Sequence, residues 1–135
     1  MFDGKPYVGV NPAKAAEAGI SMIHQELNVV PKLTIAENIF LHREDKRHNT
    51  IFLNSKKTNQ KAKELLEQFD MPYSPKTEMG TLNIAQSQMI EIIRAVSSGA
   101  KMIIMDEPTS SLDSEETGKL FQIIHDLKKQ GVSVI

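Results

Sequence analysis

Apolar and polar positions recur with two different periods along the chain, and together they lay out helices and strands in alternation. The stretch Lys101-Met102-Ile103-Ile104-Met105-Asp106-Glu107-Pro108 holds four consecutive apolar residues, two of them β-branched, that run into two carboxylates and a proline. It predicts a strand over 101–105, buried on both faces as in a parallel sheet with helices above and below. Shorter strands are predicted at 20–23 and 132–135. Residues 55–69 predict a helix, because Ala62, Leu65, Leu66 and Phe69 follow i, i+3, i+4, i+7 spacing with lysines and glutamates opposite. A second helix is predicted over 84–97, with Met89, Ile92, Ile93 and Val96 inward and Gly99 past its end. A third spans 114–130, with Leu120, Phe121, Ile124 and Leu127 inward, an Asp113–Glu116 capping box and Gly131 as terminator. Asn11 caps a short helix from Pro12 to Ala18 that Gly19 ends, and Thr34 caps another over 35–41.

Between these elements the period is lost. Residues 42–54 mix charges of both signs and predict a solvated loop, and Met71-Pro72-Tyr73-Ser74-Pro75 opens a loop that continues to Gly80. Met1 to Tyr7 resembles the tail of a hairpin turning at Asp3-Gly4. Two residues are too few to pair as its first strand, so an upstream strand is expected. Strands alternating with helices predict an α/β fold around a parallel sheet.

Composition narrows the classes. The 135 residues suit one domain with one core of ordinary size. Lys plus Arg count 16 against 17 for Asp plus Glu, a net charge of −1, so no basic excess points to nucleic acid. Without cysteine there is neither a disulfide framework nor thiolate chemistry. No apolar run approaches the roughly 20 residues needed to span a bilayer, and no signal peptide is evident. The balance predicts a soluble, cytoplasmic chain.

Three places carry candidate chemistry. Asp106 and Glu107 leave the sheet where open α/β folds place their ligands. Adjacent carboxylates there suit a cation or a substrate phosphate, while the plainer reading is an acidic turn with Glu107 solvated. Leu82-Asn83-Ile84-Ala85-Gln86 begins a helix, where free N–H groups and the positive end of the dipole favour an anion. Asn83 with Gln86 is equally an ordinary capping box. Gln25, an amide at the end of the 20–23 strand, can bind a metal-bound water or cap a loop. His24, His42, His48 and His125 show no metal-ligand spacing and no triad. The seven methionines read as core and loop residues.

Taken in order and at these spacings, the motifs resemble the ATP-binding-cassette (ABC) ATPases. Gln25 matches the Q-loop glutamine of that family, and 82–86 its signature motif. Ile103 to Glu107 match the Walker B strand, and Ser110-Ser111-Leu112-Asp113 the D-loop. Residues 19–41 and Ala85-Gln86-Ser87-Gln88-Met89 are worded like the ATPase subunits of bacterial sugar importers, the ribose/galactose type, in which two cassettes share one chain; this one resembles the first.

The resemblance implies a partial P-loop NTPase core, with strands near 20–23, 101–105 and 132–135 as neighbours, and a helical subdomain. Residues 1–25 and 99–135 would belong to the core, and 26–98 to the subdomain whose surface docks on a transmembrane permease. Asp106 would hold Mg²⁺, through a water; Glu107 would activate the attacking water; and Gln25 would touch both metal and water. Residues 82–86 would contact ATP held by a second cassette, and Ser110 to Asp113 would lie across that interface. The localisation implied is cytoplasmic, at the inner face of the membrane. Two other classes stay open: a cassette ATPase acting on nucleic acid or ribosomes, and a non-catalytic interaction module.

The chain also departs from the pattern. It contains no Walker A run ending in Gly-Lys-Ser or Gly-Lys-Thr, and no histidine follows the strand begun at Val132. Asn83, Ile84 and Ala85 stand where the family commonly has Ser, Gly and Gly. An internal piece of a transporter ATPase is therefore expected, inactive alone, which covers an unpaired sheet edge by dimerising or swapping segments. Light scattering should show a dimer or larger species; a clean monomer at high concentration would count against this.

Overall fold

The apolar runs pair as the family resemblance implies. The computed structural model describes residues 4, 11–24, 28–41, 55–110 and 112–135. Strands β1 (Ile20–Ile23), β2 (Met102–Met105) and β3 (Ser133–Val134) form a parallel sheet in the order β1-β2-β3. Ile20 lies opposite Met102 and Ile23 opposite Met105, while Ile103 faces Val134. The ladder runs one residue past β3: the Ile135 N–H donates to the Ile103 carbonyl at 3.0 Å, and the Met105 N–H to the Ile135 carbonyl at 2.8 Å.

Burial on both faces of the central strand is not what the structure shows. Of β2, Ile103 alone is fully buried, and Met102, Ile104 and Met105 are half-buried. Successive side chains point to opposite faces, so the described helices cover the Ile103 side and shield the other side only partly. Gly19 sits where α1 (Pro12–Ala18) turns into β1, with φ at 89°. Its carbonyl accepts from the Lys101 and Met102 N–H groups at 2.7 and 3.1 Å. A Cβ there would stand 3.2 Å from Lys101 Cγ, so both the conformation and the space require glycine.

Among the described residues, five α-helices follow from caps and faces: α1, α2 (Ile35–Ile39), α3 (Ser55–Gln68), α4 (Ile84–Ser97) and α5 (Ser114–Lys129). Asn11 Oδ1 accepts from the Lys14 N–H at 2.9 Å. Thr34 and Glu37 form a reciprocal capping box. The predicted helix over 35–41 stops earlier, at Ile39. On α5, Phe121 is a correction: it is 59% exposed, and Ile123 is buried in its place with Leu120 and Leu127. Adjacent residues of a helix lie about 100° apart, so Leu120 and Phe121 cannot both face the core squarely.

The predicted loop over 71–80 is more ordered than its prolines suggest. A 3₁₀ turn spans Met79–Thr81, and Glu78 bridges antiparallel to Thr34. The Ile35 N–H donates to the Thr77 carbonyl at 2.8 Å and the Met79 N–H to the Leu33 carbonyl at 3.0 Å. Of the hairpin at Asp3-Gly4, only Gly4 is described, in a turn with φ at 72°; the charged stretch 42–54 lies outside the described residues. Among the described residues no helix is long and apolar enough to cross a membrane.

α4 ties the parts together. It packs on α2 and α3 on one side and on β1 on the other. Accordingly Met89, Ile90, Ile92, Ile93 and Ala95 are all buried, more than one face of a surface helix would show. Asn38 on α2 is the buried polar group that shapes the loop before it. Its Oδ1 accepts from the Val30 N–H at 2.8 Å, and its amide donates to the carbonyls of Val30, Leu33 and Thr34 at 3.0 to 3.3 Å.

Asn38→Leu should therefore destabilise the chain by about 2–3 kcal/mol, since it strands several backbone groups away from water. Urea denaturation measures this, and a loss within about 0.5 kcal/mol would show that the 30–34 loop does not depend on Asn38.

Candidate functional site

Parallel pairing sets the three strand ends side by side, and the residues that follow β2 emerge at that edge. The Asp106 N–H donates to the Ile23 carbonyl at 3.2 Å, so the turn after β2 is tied to the last residue of β1. Asp106 and Glu107 are both exposed. Glu107 has a φ of 45°, in the left-handed region that a residue with a Cβ seldom adopts. Asp70 shares this feature at the end of α3, where helix termination accounts for it: the Met71 N–H closes back on the Leu66 carbonyl at 2.8 Å. No helix ends at Glu107. Instead the strain turns the chain sharply after the strand, and the Ser110 N–H closes that turn on the Glu107 carbonyl at 3.3 Å.

Two exposed carboxylates suit a hard cation that keeps most of its water and takes its other ligands from phosphate. Among the described residues no cluster of three or more acidic, histidine or cysteine side chains could enclose a metal. The two carboxylates therefore do not form a closed protein site among the described residues, and they leave room for a cation whose other ligands come from elsewhere. Gln25 and Ser111 lie outside the described residues.

The start of α4 is a reciprocal capping box. Asn83 Oδ1 accepts from the Gln86 N–H at 2.8 Å, and Gln86 Oε1 accepts from the Asn83 N–H at 3.0 Å. Leu82 is half-buried against the core and Ala85 is buried, while Ile84 is 58% exposed at the tip. The first-turn N–H groups of Ile84 and Ala85 have no partner within the helix. The start of α5 is built the same way: Asp113 Oδ1 accepts from the Glu116 N–H at 2.8 Å, and Glu116 Oε2 from the Asp113 N–H at 3.2 Å. Glu116 Oε1 also accepts from Asn83 Nδ2 at 3.1 Å, which links the starts of α4 and α5. Leu112 packs against the core, and Ser110 and Asp113 are exposed beside it.

A second group of residues escaped sequence reasoning. A cavity of about 330 Å³ opens between β1 and the second half of α4, lined by Met22, Ile23, Asn28, Leu41, Glu91 and Arg94 among others. Neither Asp106, Glu107 nor 82–86 lines it. Glu91 is 8% exposed, and its Oε1 accepts from the Asn28 N–H at 2.8 Å. Arg94 Nη1 donates to the Asn28 carbonyl at 3.0 Å. Burial raises the Glu91 carboxyl above the ordinary range, against the opposing pull of the Asn28 N–H, Arg94 and His24. The signal in the sequence was a lone acid inside the apolar run Met89-Ile90-Glu91-Ile92-Ile93.

The profile of the family described as "ABC transporter" matches residues 1–110. The Ribose import ATP-binding protein RbsA of Rhodopirellula baltica is 44% identical over all 135 residues, which correspond to 26% of that protein. RbsA of Bacillus licheniformis is 46% identical over 134 residues, 99% of this chain and 27% of the relative. A Burkholderia ambifaria protein provisionally named for ribose/galactose/methyl galactoside import is 46% identical over the whole chain, 26% of its own length. The chain thus spans about a quarter of the length of these curated relatives. Among solved structures, the ADP conformation of an ATP-binding cassette of an ABC transporter superposes with a TM-score of 0.73 at 24% identity, covering 91% of this chain and 52% of that one. A dimeric post-hydrolysis cassette bound to ADP and Pi gives 0.66 at 22%, over 93% and 55%. At that identity the likeness establishes the fold alone, a mixed α/β cassette with a parallel sheet.

The position of Glu91 has a measurable consequence. A carboxyl raised in the folded state contributes stability that is present below its unfolded value of 4.5 and lost as pH rises through the folded value. Glu91→Gln keeps an oxygen for the Asn28 N–H and removes the buried charge. Thermal melting of both forms at pH 4.5 and 7 should show the variant gaining relative to wild type at the higher pH; a pH-independent difference would refute the burial of a charge at this place.

Proposed function

The chain belongs to the ABC transporter family, and on that premise we propose that it forms part of an ATP-hydrolysing subunit that powers import of a sugar through a membrane permease. The observation that carries this reading is the turn after β2, with Asp106 bonded to the end of β1 and Glu107 held at positive φ in a mouth open to solvent. The sugar-import names of the relatives support the transported class.

In this reading Asp106 would hold Mg²⁺. When bound, the metal supplies neutralising charge at the phosphate oxygens. Glu107 accepts a proton from the attacking water as its oxygen bonds to the γ-phosphorus of ATP and the bond to the ADP oxygen breaks. Gln25 would help to hold the metal and orient that water. The N–H groups and Asn83 at 82–86 bind the γ-phosphate of ATP held by a second cassette, where helix dipole and free donors favour an anion. Ser110, Ser111, Leu112 and Asp113 lie along that interface. Residues 1–25 and 99–135 belong to the ATPase core, and 26–98 form the helical part that meets the permease at the cytoplasmic face. The 135 residues contain no glycine-rich phosphate loop, so alone they lack the main grip on the β- and γ-phosphates and act as a docking module rather than an enzyme.

Glu107→Gln in the full-length subunit should lower ATP turnover by about 10²-fold or more while leaving ATP affinity within a few-fold. Steady-state hydrolysis with nucleotide titration measures both, and undiminished turnover would remove Glu107 from the role of base.

A further inference from the structure

The unassigned feature that reaches furthest is the pair of side chains on α4 that grips one peptide unit of another segment. Glu91 and Arg94 stand one helical turn apart and so share a face of α4. One accepts from the N–H of Asn28 at 2.8 Å, and the other donates to its carbonyl at 3.0 Å. Both polar groups of one exposed residue are thus taken by side chains more than sixty positions away in sequence. Glu91 sits buried in an otherwise apolar stretch of α4. A buried carboxylate is costly to keep unless it is hydrogen-bonded, and here the Asn28 N–H meets that need. A leucine would fill the same place in the core at no such cost, so packing alone does not explain an acid there.

What lies on either side of the grip gives it meaning. Ile23, five residues before Asn28, is fixed by its place in the sheet, and its carbonyl receives the Asp106 N–H. Gln25 falls between these two anchors in sequence. The helix that anchors Asn28 is also the one that 82–86 lead into, with Asn83 as its N-cap. We propose that Glu91 and Arg94 are positioning residues: by clamping the Asn28 peptide to α4 they tie the chain around Gln25 to the helix that bears the anion-binding turn. This rests on the ATPase reading above. Neither residue touches nucleotide or metal in this scheme. They act by holding Asn28, and a misplacement of about an ångström at a reacting centre is enough to cost one to two orders of magnitude in rate.

The test uses the full-length subunit with three changes, Glu91→Ala, Glu91→Gln and Gln25→Ala, and the double variant Glu91→Ala/Gln25→Ala. Hydrogen exchange of the segment containing the Asn28 amide should quicken in Glu91→Ala and stay near wild type in Glu91→Gln, which retains the acceptor and guards against a merely misfolded variant. ATP turnover should fall about tenfold in Glu91→Ala, with KM for ATP unchanged and with recovery in Glu91→Gln. In the Gln25→Ala background, Glu91→Ala should cost little more, because both changes damage one function. Unchanged exchange at Asn28, or a loss of turnover that multiplies independently with that of Gln25→Ala, overturns the inference while wild-type hydrolysis leaves the ATPase reading standing. A wild-type subunit that turns over no ATP overturns the ATPase reading, and the positioning role with it.

Discussion

The pairing of β1 with β2 is the constraint on which the other features depend. Two strands of four residues each, far apart in sequence, meet in parallel register from Ile20–Met102 to Ile23–Met105. Closing so long a loop costs chain entropy that grows only slowly with length, but it must be offset by burial elsewhere, because the strands themselves are half-buried. The offset comes from the intervening chain. α2, α3 and α4 fold into a cluster with Ile35, Ile39, Leu66, Ile92 and Ile93 at its centre, and α4 continues that core onto the sheet. The short strands are held in register by the helices inserted between them, and the carboxylates after β2 inherit their position from the helical cluster.

This arrangement explains which features were legible in the sequence. Asn83 and Asp113 cap as their spacing to Gln86 and Glu116 implied, and Asn11 and Thr34 cap where a polar residue precedes the helix, because a cap is a local device of three or four residues. The strand order followed from the family resemblance rather than from periodicity. Phe121 was misjudged because two adjacent apolar residues leave the helix phase open by one position, and only the packing of Leu120, Ile123 and Leu127 settles it. The bridge from Thr34 to Glu78 and the grip on Asn28 were invisible for a different reason. Both join segments whose own sequences carry no period, and a backbone acceptor or donor has no signature in the residue type that bears it.

The candidate site shows the same division. Asp106 and Glu107 could be picked out from composition alone, as charge at the end of an apolar strand. The left-handed conformation of Glu107 could not, because nothing about a glutamate favours it. A glycine would adopt that φ without strain, so the side chain must be retained against the backbone preference. Such strain at the mouth of a sheet is expected where a carboxylate has to be aimed and not merely exposed.

Asn83 gives the departure from the family wording a physical sense. A serine would cap α4 through one hydroxyl on a short stem. The asparagine uses two ends: its oxygen caps the Gln86 N–H while its amide reaches Glu116. Glu116 in turn caps α5 through its other oxygen, so one carboxylate serves two helix starts. Two positive helix ends brought together would repel, and a carboxylate shared between them relieves that repulsion. The same carboxylate is negative, and it engages the Asn83 amide, the donor that the proposed function assigns to a phosphate. On the proposed reading, an anion arriving at 82–86 would have to compete with Glu116 for the Asn83 amide, a cost that a serine at this position would not impose in the same form.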